Sequence, residues 1–177
     1  MEQPDWAFVR AWAKALAGTS YVPMTRAERH DFLHRCTQAN KYATFFYAQL
    51  DERCRRLRYV NAGHNPPYLV RAREIQELST GGSVIGLFPN IAFEEGTVDL
   101  QPDDLIVMFT DGVTEALNVD GEEFGEARLQ ALVRAVAPLP VQQISSRLVD
   151  ELQTWTKGAA QYDDLTFVLV KMNESSA

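Results

Sequence analysis

Five apolar residues in unbroken succession, Leu105-Ile106-Val107-Met108-Phe109, stop abruptly at Thr110-Asp111-Gly112. Such a run is expected of a strand buried on both faces, and its abrupt end places Asp111 where the strand leaves its sheet. Farther along, Tyr162-Asp163-Asp164 stands immediately ahead of a second apolar run, Leu165 to Val170. If the two strands are antiparallel neighbours, the end of one and the start of the other share an edge, and Asp111 comes close to Asp163.

Two carboxylates about 4 Å apart repel by roughly 4 kcal/mol at an effective dielectric near 20, so such a pair tends to bind a proton, a basic side chain or a cation. Mg²⁺ and Mn²⁺ prefer oxygen ligands and retain several waters, so a few carboxylates on rigid strand ends suit them. Spacing alone leaves a plainer reading open, because Asp-Gly after a strand is an ordinary turn and Asp-Asp before one is an ordinary solvated loop. Asp103 and Asp104 fall at the opposite end of the first strand and read as surface charges.

The rest of the chain divides in two by texture. Trp6, Val9, Trp12 and Leu16 recur at helical spacing up to Gly18, and a second stripe through Phe32, Leu33 and Cys36 follows Thr25 and Glu28, which have capping-box spacing. Residues 1–40 therefore read as a helical hairpin. His30 and His34, one turn apart, read as surface or packing residues for want of a fourth ligand.

From residue 41 to 174 the pattern is that of a domain. Candidate strands are Ala43–Asp51, Leu57–Asn61, Pro67–Arg71, Glu74–Leu78, Phe93–Asp99, Leu105–Thr110 and Leu165–Lys171, mostly antiparallel. Between the last two, Phe124, Leu129, Leu132, Val133 and Val136 predict one helix, and Val141, Ile144, Leu148 and Leu152 another. Strands, a helix pair and a closing strand describe an α+β layered domain.

A formal net charge of −7 argues against partnership with nucleic acid or an anionic membrane, which rely on surplus Lys and Arg. The local exception, Arg53, Arg55, Arg56 and Arg58, reads as the coat of a hairpin turn. Two cysteines are too few for a disulfide framework, and no apolar run approaches the roughly 18 residues that span a bilayer. The expectation is a soluble, cytoplasmic chain.

Four stretches, in order, carry a resemblance. Phe45-Phe46-Tyr47 leads into Tyr59-Val60-Asn61-Ala62-Gly63-His64-Asn65-Pro66-Pro67. Gly81-Gly82-Ser83-Val84-Ile85-Gly86-Leu87 comes next, then Phe109-Thr110-Asp111-Gly112-Val113-Thr114-Glu115-Ala116, and last Asp163-Asp164-Leu165-Thr166. Together they resemble the SpoIIE-type serine phosphatase domain, a branch of the PPM metal-dependent protein phosphatases. The resemblance implies a sandwich of antiparallel sheets flanked by helices, a Mn²⁺ or Mg²⁺ cofactor, and direct attack of water on phosphoserine or phosphothreonine. Asp111 and Asp163 would be metal ligands, Asp164 a supporting acid, and Gly112 the residue that lets the backbone turn beside the ion. Gly81, Gly82 and Gly86 would belong to a mobile substrate-side loop.

His64 admits a catalytic reading as proton donor to a leaving alkoxide, beside the reading in which Asn61 and Gly63 simply shape a strand-to-strand bend. The implied partner is a phosphoprotein of bacterial signalling, such as an anti-sigma-factor antagonist. The family's domains also carry, ahead of the Phe-Phe-Tyr strand, a Gly-Asp-Val-x-Gly-x-Gly segment whose Asp bridges two metals, and Met1 to Ala43 contains none. The domain is accordingly expected to be N-terminally truncated, with an unpaired sheet edge that a second copy or a partner could cover. A catalytically impaired pseudophosphatase that binds a regulatory protein stands as the alternative.

Overall fold

A computed structural model describes residues 42–86, 92–161 and 163–173. The helical hairpin expected over residues 1–40, with His30, His34 and Cys36, lies outside the described residues. The chain divides into two compact units, Met1–Ala43 with Val84–Ala92, and Thr44–Ser83 with Phe93–Ala177. In the first, Ala43 and Ile85 exchange two backbone hydrogen bonds of 2.9 Å, and Gly86 adopts a φ of 94°.

The second unit is a two-sheet structure. Strands β1 (Phe45–Asp51), β2 (Arg56–Ala62), β5 (Gly81–Gly82) and β6 (Gly96–Asp99) form one sheet, and β3 (Tyr68–Arg71), β4 (Glu74–Glu77), β7 (Leu105–Phe109) and β8 (Phe167–Lys171) form the other, in the order β4-β3-β7-β8. Both sheets are antiparallel apart from one pairing, the parallel match of β5 with β2. β5 falls where a loop was expected. A Cβ on Gly81 would sit 1.8 Å from the Asn61 carbonyl oxygen, so only glycine lets the chain approach β2 closely enough to pair.

Alternation along β3 and β7 explains the layering. Tyr68, Val70, Leu105, Val107 and Phe109 point to a cluster completed by helices α2 (Gly125–Val136) and α3 (Val141–Trp155), while Leu69 and Ile106 point to a second cluster with Leu57, Tyr59, Leu78 and Leu100. With both faces covered, β7 has no position for a polar side chain, which accounts for its unbroken apolar run. The helices bury Leu129, Val133 and Val136, and Ile144, Leu148 and Leu152, as their spacing predicts. Lys171 on β8 donates to the carbonyls of Ala137 and Leu139, so a cation caps the end of α2.

Two further details concern the turns and the charges. Ala72 and Arg73 join β3 to β4 with φ of 48° and 70°, the positive pair that a two-residue type I′ hairpin demands. The basic run does coat the β1–β2 hairpin: Arg56 Nε lies 2.7 Å from Asp99 Oδ1, and Arg58 donates to Gln49. No helix among the described residues is long and apolar enough to cross a membrane.

Asp104 departs from its expected role as a surface charge. Its side chain is 1% exposed and accepts from Arg71 Nε at 2.9 Å, from a second Arg71 nitrogen at 2.6 Å and from the Gln101 N–H at 2.8 Å. The long Arg71 side chain reaches it from β3, a contact that local sequence could not announce. Asp103, beside it, is exposed as expected.

Candidate functional site

The register Phe109↔Phe167 brings the end of β7 and the start of β8 to one edge of the sheet. Beyond the last pair the ladder is carried on by a side chain. Thr110 donates its backbone N–H to Thr166 O at 3.2 Å, its hydroxyl donates to Asp164 O at 3.0 Å, and the same hydroxyl accepts from the Thr166 N–H at 3.2 Å. Thr110 thereby fixes the segment that carries Asp163 and Asp164 against the one that carries Asp111. Sequence reasoning passed over it; a hydroxyl between an apolar run and an acid was its only signal.

Asp111 opens a short helix, α1 (Asp111–Thr114), rather than the plain turn expected of Asp-Gly. Gly112 is required for proximity. A Cβ there would lie 2.6 Å from Asp164 O and 3.4 Å from Asp163 Cβ, so any side chain would force the two acidic segments apart. Asp111 Oδ1 accepts from the Gly112 N–H at 3.0 Å, and Asp163 Oδ1 accepts from the Asp164 N–H at 2.7 Å. Both carboxylates are exposed, and among the described residues neither has a Lys or Arg partner. The Asp164 side chain is exposed too, but its contribution to the junction is its carbonyl.

Asp163 and Gly112 line a cleft of about 370 Å³ with Glu115, Glu123, Thr156 and Gln161. Gln161 Nε2 donates to Asp163 O at 2.9 Å, and Trp155 Nε1 donates to Ala116 O at 3.0 Å, tying the end of α3 to the stretch after α1. Arg128 lies over the Trp155 ring, 4.3 Å from its centroid.

His64 belongs to the same neighbourhood. Burial pushes its imidazole below the ordinary 6.5, and the Asp111 carboxylate opposes that shift in part. Its Nδ1 is 3.1 Å from Thr44 Oγ1. Buried Asn61 clamps its backbone, accepting from the His64 N–H at 2.8 Å and donating to the His64 carbonyl at 2.9 Å, with Gly63 between them at a φ of 71°. Turn geometry thus explains Asn61 and Gly63, and the same turn aims His64 into the field of Asp111.

The donor set can be tested against a divalent cation. Two exposed carboxylates without cationic partners, on segments held close by Gly112 and Thr110, fit a hard ion whose other positions are filled by water. Among the described residues no group of three or more His, Cys, Asp or Glu side chains is arranged to hold a metal.

Comparison with known proteins bears on the whole arrangement. The chain is 31% identical over 133 residues to Protein IcfG of Synechocystis, covering 75% of this chain and 21% of that protein. It is 25% identical over 164 residues to the phosphoserine phosphatase RsbP of Bacillus subtilis, covering 92% of this chain and 39% of RsbP. It therefore spans well under half the length of these curated relatives. Among solved structures, the SiaA-PP2C domain of Pseudomonas aeruginosa superposes with a TM-score of 0.72 at 22% identity, covering 82% of this chain and 58% of that one. The PP2C phosphatase domain of SpoIIE from Bacillus subtilis, with a fragment of its regulatory domain, gives a TM-score of 0.72 at 18% identity, covering 94% and 48%. The family model of stage II sporulation protein E matches residues 8–173, a span that takes in most of the segment read as a separate helical hairpin. With nearly its whole length matched, the chain belongs to the stage II sporulation protein E (SpoIIE) family, and its fold is that of the PP2C phosphatase domains.

Proposed function

We propose that this domain hydrolyses phosphoserine or phosphothreonine on a regulatory protein of bacterial signalling, such as an anti-sigma-factor antagonist. The observation that carries the reading is the meeting of Asp111 and Asp163 at the shared end of β7 and β8, held by Thr110 and Gly112. The names of RsbP and RsbU, both phosphoserine phosphatases, support the substrate class.

Asp111 and Asp163 are the residues that would hold Mn²⁺ or Mg²⁺, with Asp164 supporting them. When bound, such an ion polarises a phosphoryl oxygen and lowers the pKa of water. The remaining chemistry falls to the chain itself. As the imidazolium, His64 would donate from Nδ1 to Thr44 Oγ1 and carry a second proton on Nε2 that could pass to the leaving alkoxide, leaving the ring neutral. The Asp111 charge favours the protonated ring against the desolvation that opposes it. The cleft beside Asp163 supplies room for a phosphorylated side chain, and Gly81, paired with Asn61, supports a substrate-side role for the Gly81-Gly82 segment.

The test is Mn²⁺-dependent release of phosphate from a phosphoserine peptide. Turnover of the order of 1 s⁻¹ that Asp111→Ala abolishes supports the assignment, and turnover indifferent to Asp111→Ala refutes the site. A second reading, a pseudophosphatase that binds a regulatory protein, is favoured by the want of a third ligand among the described residues. It predicts no turnover at any Mn²⁺ concentration, with binding of the phosphoprotein retained.

A further inference from the structure

β8 closes the second sheet on one side only. Among the described residues it pairs with β7 alone. Thr166 O and the Met172 N–H both bond toward the β7 side, to Thr110 N–H and Asp104 O. Antiparallel strands alternate, so Val168 and Val170 bond the same way, and Phe167, Leu169 and Lys171 turn their N–H and C=O groups outward. Natural sheet edges are commonly blunted by a projecting charge, a proline or a bulge. Here the sequence is Phe-Val-Leu-Val-Lys, and the Lys171 ammonium is folded back onto the carbonyls of Ala137 and Leu139.

The flanks of this edge are apolar on both faces. On the helix side a groove of about 420 Å³ runs between β8 and α3, lined by Val141, Gln142, Ser145, Val149, Phe167 and Leu169 among others, with no ionisable side chain in its lining. Four large hydrophobic side chains are exposed among the described residues, and two of them stand here: Val149, 43% exposed, on α3, and Val168, 50% exposed, on the opposite face of β8.

The edge is also complementary to itself. A two-fold axis through Leu169, normal to the sheet, sets Leu169 against its copy, Phe167 against Lys171 and Val168 against Val170. The outward-facing residues then meet one another as hydrogen-bonded pairs, Val168 and Val170 form apolar cross-strand pairs, and no like charges are opposed. The same axis keeps both α3 helices on one face, so Val149 of each copy is drawn toward the shared groove. For a chain of net charge −7, an edge and groove without acidic side chains let two copies meet at little electrostatic cost.

We propose that a second copy of this chain pairs antiparallel along β8, joining the two four-stranded sheets across a two-fold axis. The proposed interface begins three residues past Asp164, at Phe167, but the proposal does not depend on catalysis.

Sedimentation velocity of the full chain up to about 100 µM tests it, with far-UV circular dichroism and a thermal melt confirming that each variant is folded. The expected result is a dimer that Val168→Lys and Val149→Lys each weaken at least tenfold in dissociation constant. Both positions are exposed, so neither substitution disturbs the core. Hydrogen exchange supplies the second readout. The Phe167, Leu169 and Lys171 amides are expected to be protected in the dimer and to lose protection in Val168→Lys, while those of Val168 and Val170, bonded to β7, stay protected in both. A wild-type chain that is monomeric at the top concentration overturns the proposal, as does a dimer indifferent to both lysines. Protection of the outward amides in a monomer, or only on addition of a phosphoprotein, also overturns it, because an extended segment other than a second copy then covers the edge.

Discussion

The two ends of β7 each carry an acid, and the two acids do opposite work. At the start of the strand Asp104 is buried, gripped by two Arg71 nitrogens and a backbone N–H. At its end Asp111 is exposed, satisfied on one oxygen by its own helix turn and, among the described residues, without a Lys or Arg partner. A carboxylate given an arginine and shut from water ties the fold together. One that lies exposed near a second carboxylate, with no basic partner among the described residues, ties nothing together and is, under the proposed function, the one open to a ligand.

The strongest way to break this contrast is at the buried end. Arg71→Met leaves the Asp104 carboxylate enclosed and unpaired, and is expected to cost about 3–5 kcal/mol in urea unfolding while sparing phosphate release by the fraction that stays folded. At the exposed end the outcome inverts. Asp111→Asn is expected to lower kcat/KM by a factor of the order of 10² to 10³, about 3–4 kcal/mol of transition-state stabilisation, with unfolding free energy within about 0.5 kcal/mol of wild type. If instead Asp111→Asn destabilised the fold as Arg71→Met does, the two ends would be alike and the contrast would fall.

Gly112→Ala sharpens it by separating position from charge. Its methyl group meets the Asp164 carbonyl, and a loss of about 1–3 kcal/mol is expected together with weaker Mn²⁺ binding by calorimetry, although no acid has been removed. His64 adds a smaller, pH-dependent effect. Its folded-state pKa lies below its unfolded value near 6.5, so between the two the unfolded chain binds more protons and stability rises with pH. The His64 contribution is intact above about pH 6.5 and is lost as pH falls toward the folded-state value, and His64→Gln is expected to flatten that part of a stability-against-pH profile. Smallest is the turn that follows Arg71: Ala72→Asn with Arg73→Gly relieves two positive φ angles and is expected to stabilise by about 0.5–1 kcal/mol, with activity unchanged.

The sequence made most of this arrangement legible because the signals were local. Periodicity two and periodicity 3.6 set the longer strands and both helices within a few residues of where they lie, and the paired apolar runs were enough to infer that Asp111 and Asp163 share an edge. What escaped was decided by distant partners. Asp104 resembles Asp103 in every local respect, and only an arginine 33 residues away distinguishes them. β5 exists because Gly81 fits against Asn61, and a two-residue strand has no period to detect. Gly112 was recognised as necessary, but for turning rather than for closeness, since spacing along a chain does not show what lies across a sheet.

The staple between Thr110 and Thr166 spans 56 residues of chain. Helices α2 and α3 lie wholly within that span, so the two acids are brought together by a long-range closure and not by neighbouring sequence. Closing so long a loop is slow relative to forming either helix, and until it closes β7 presents an open edge of five apolar residues. Folding and assembly of the site are therefore a single event. A chain in which β8 has not docked holds Asp111 without Asp163 and leaves the apolar β7 edge open to association.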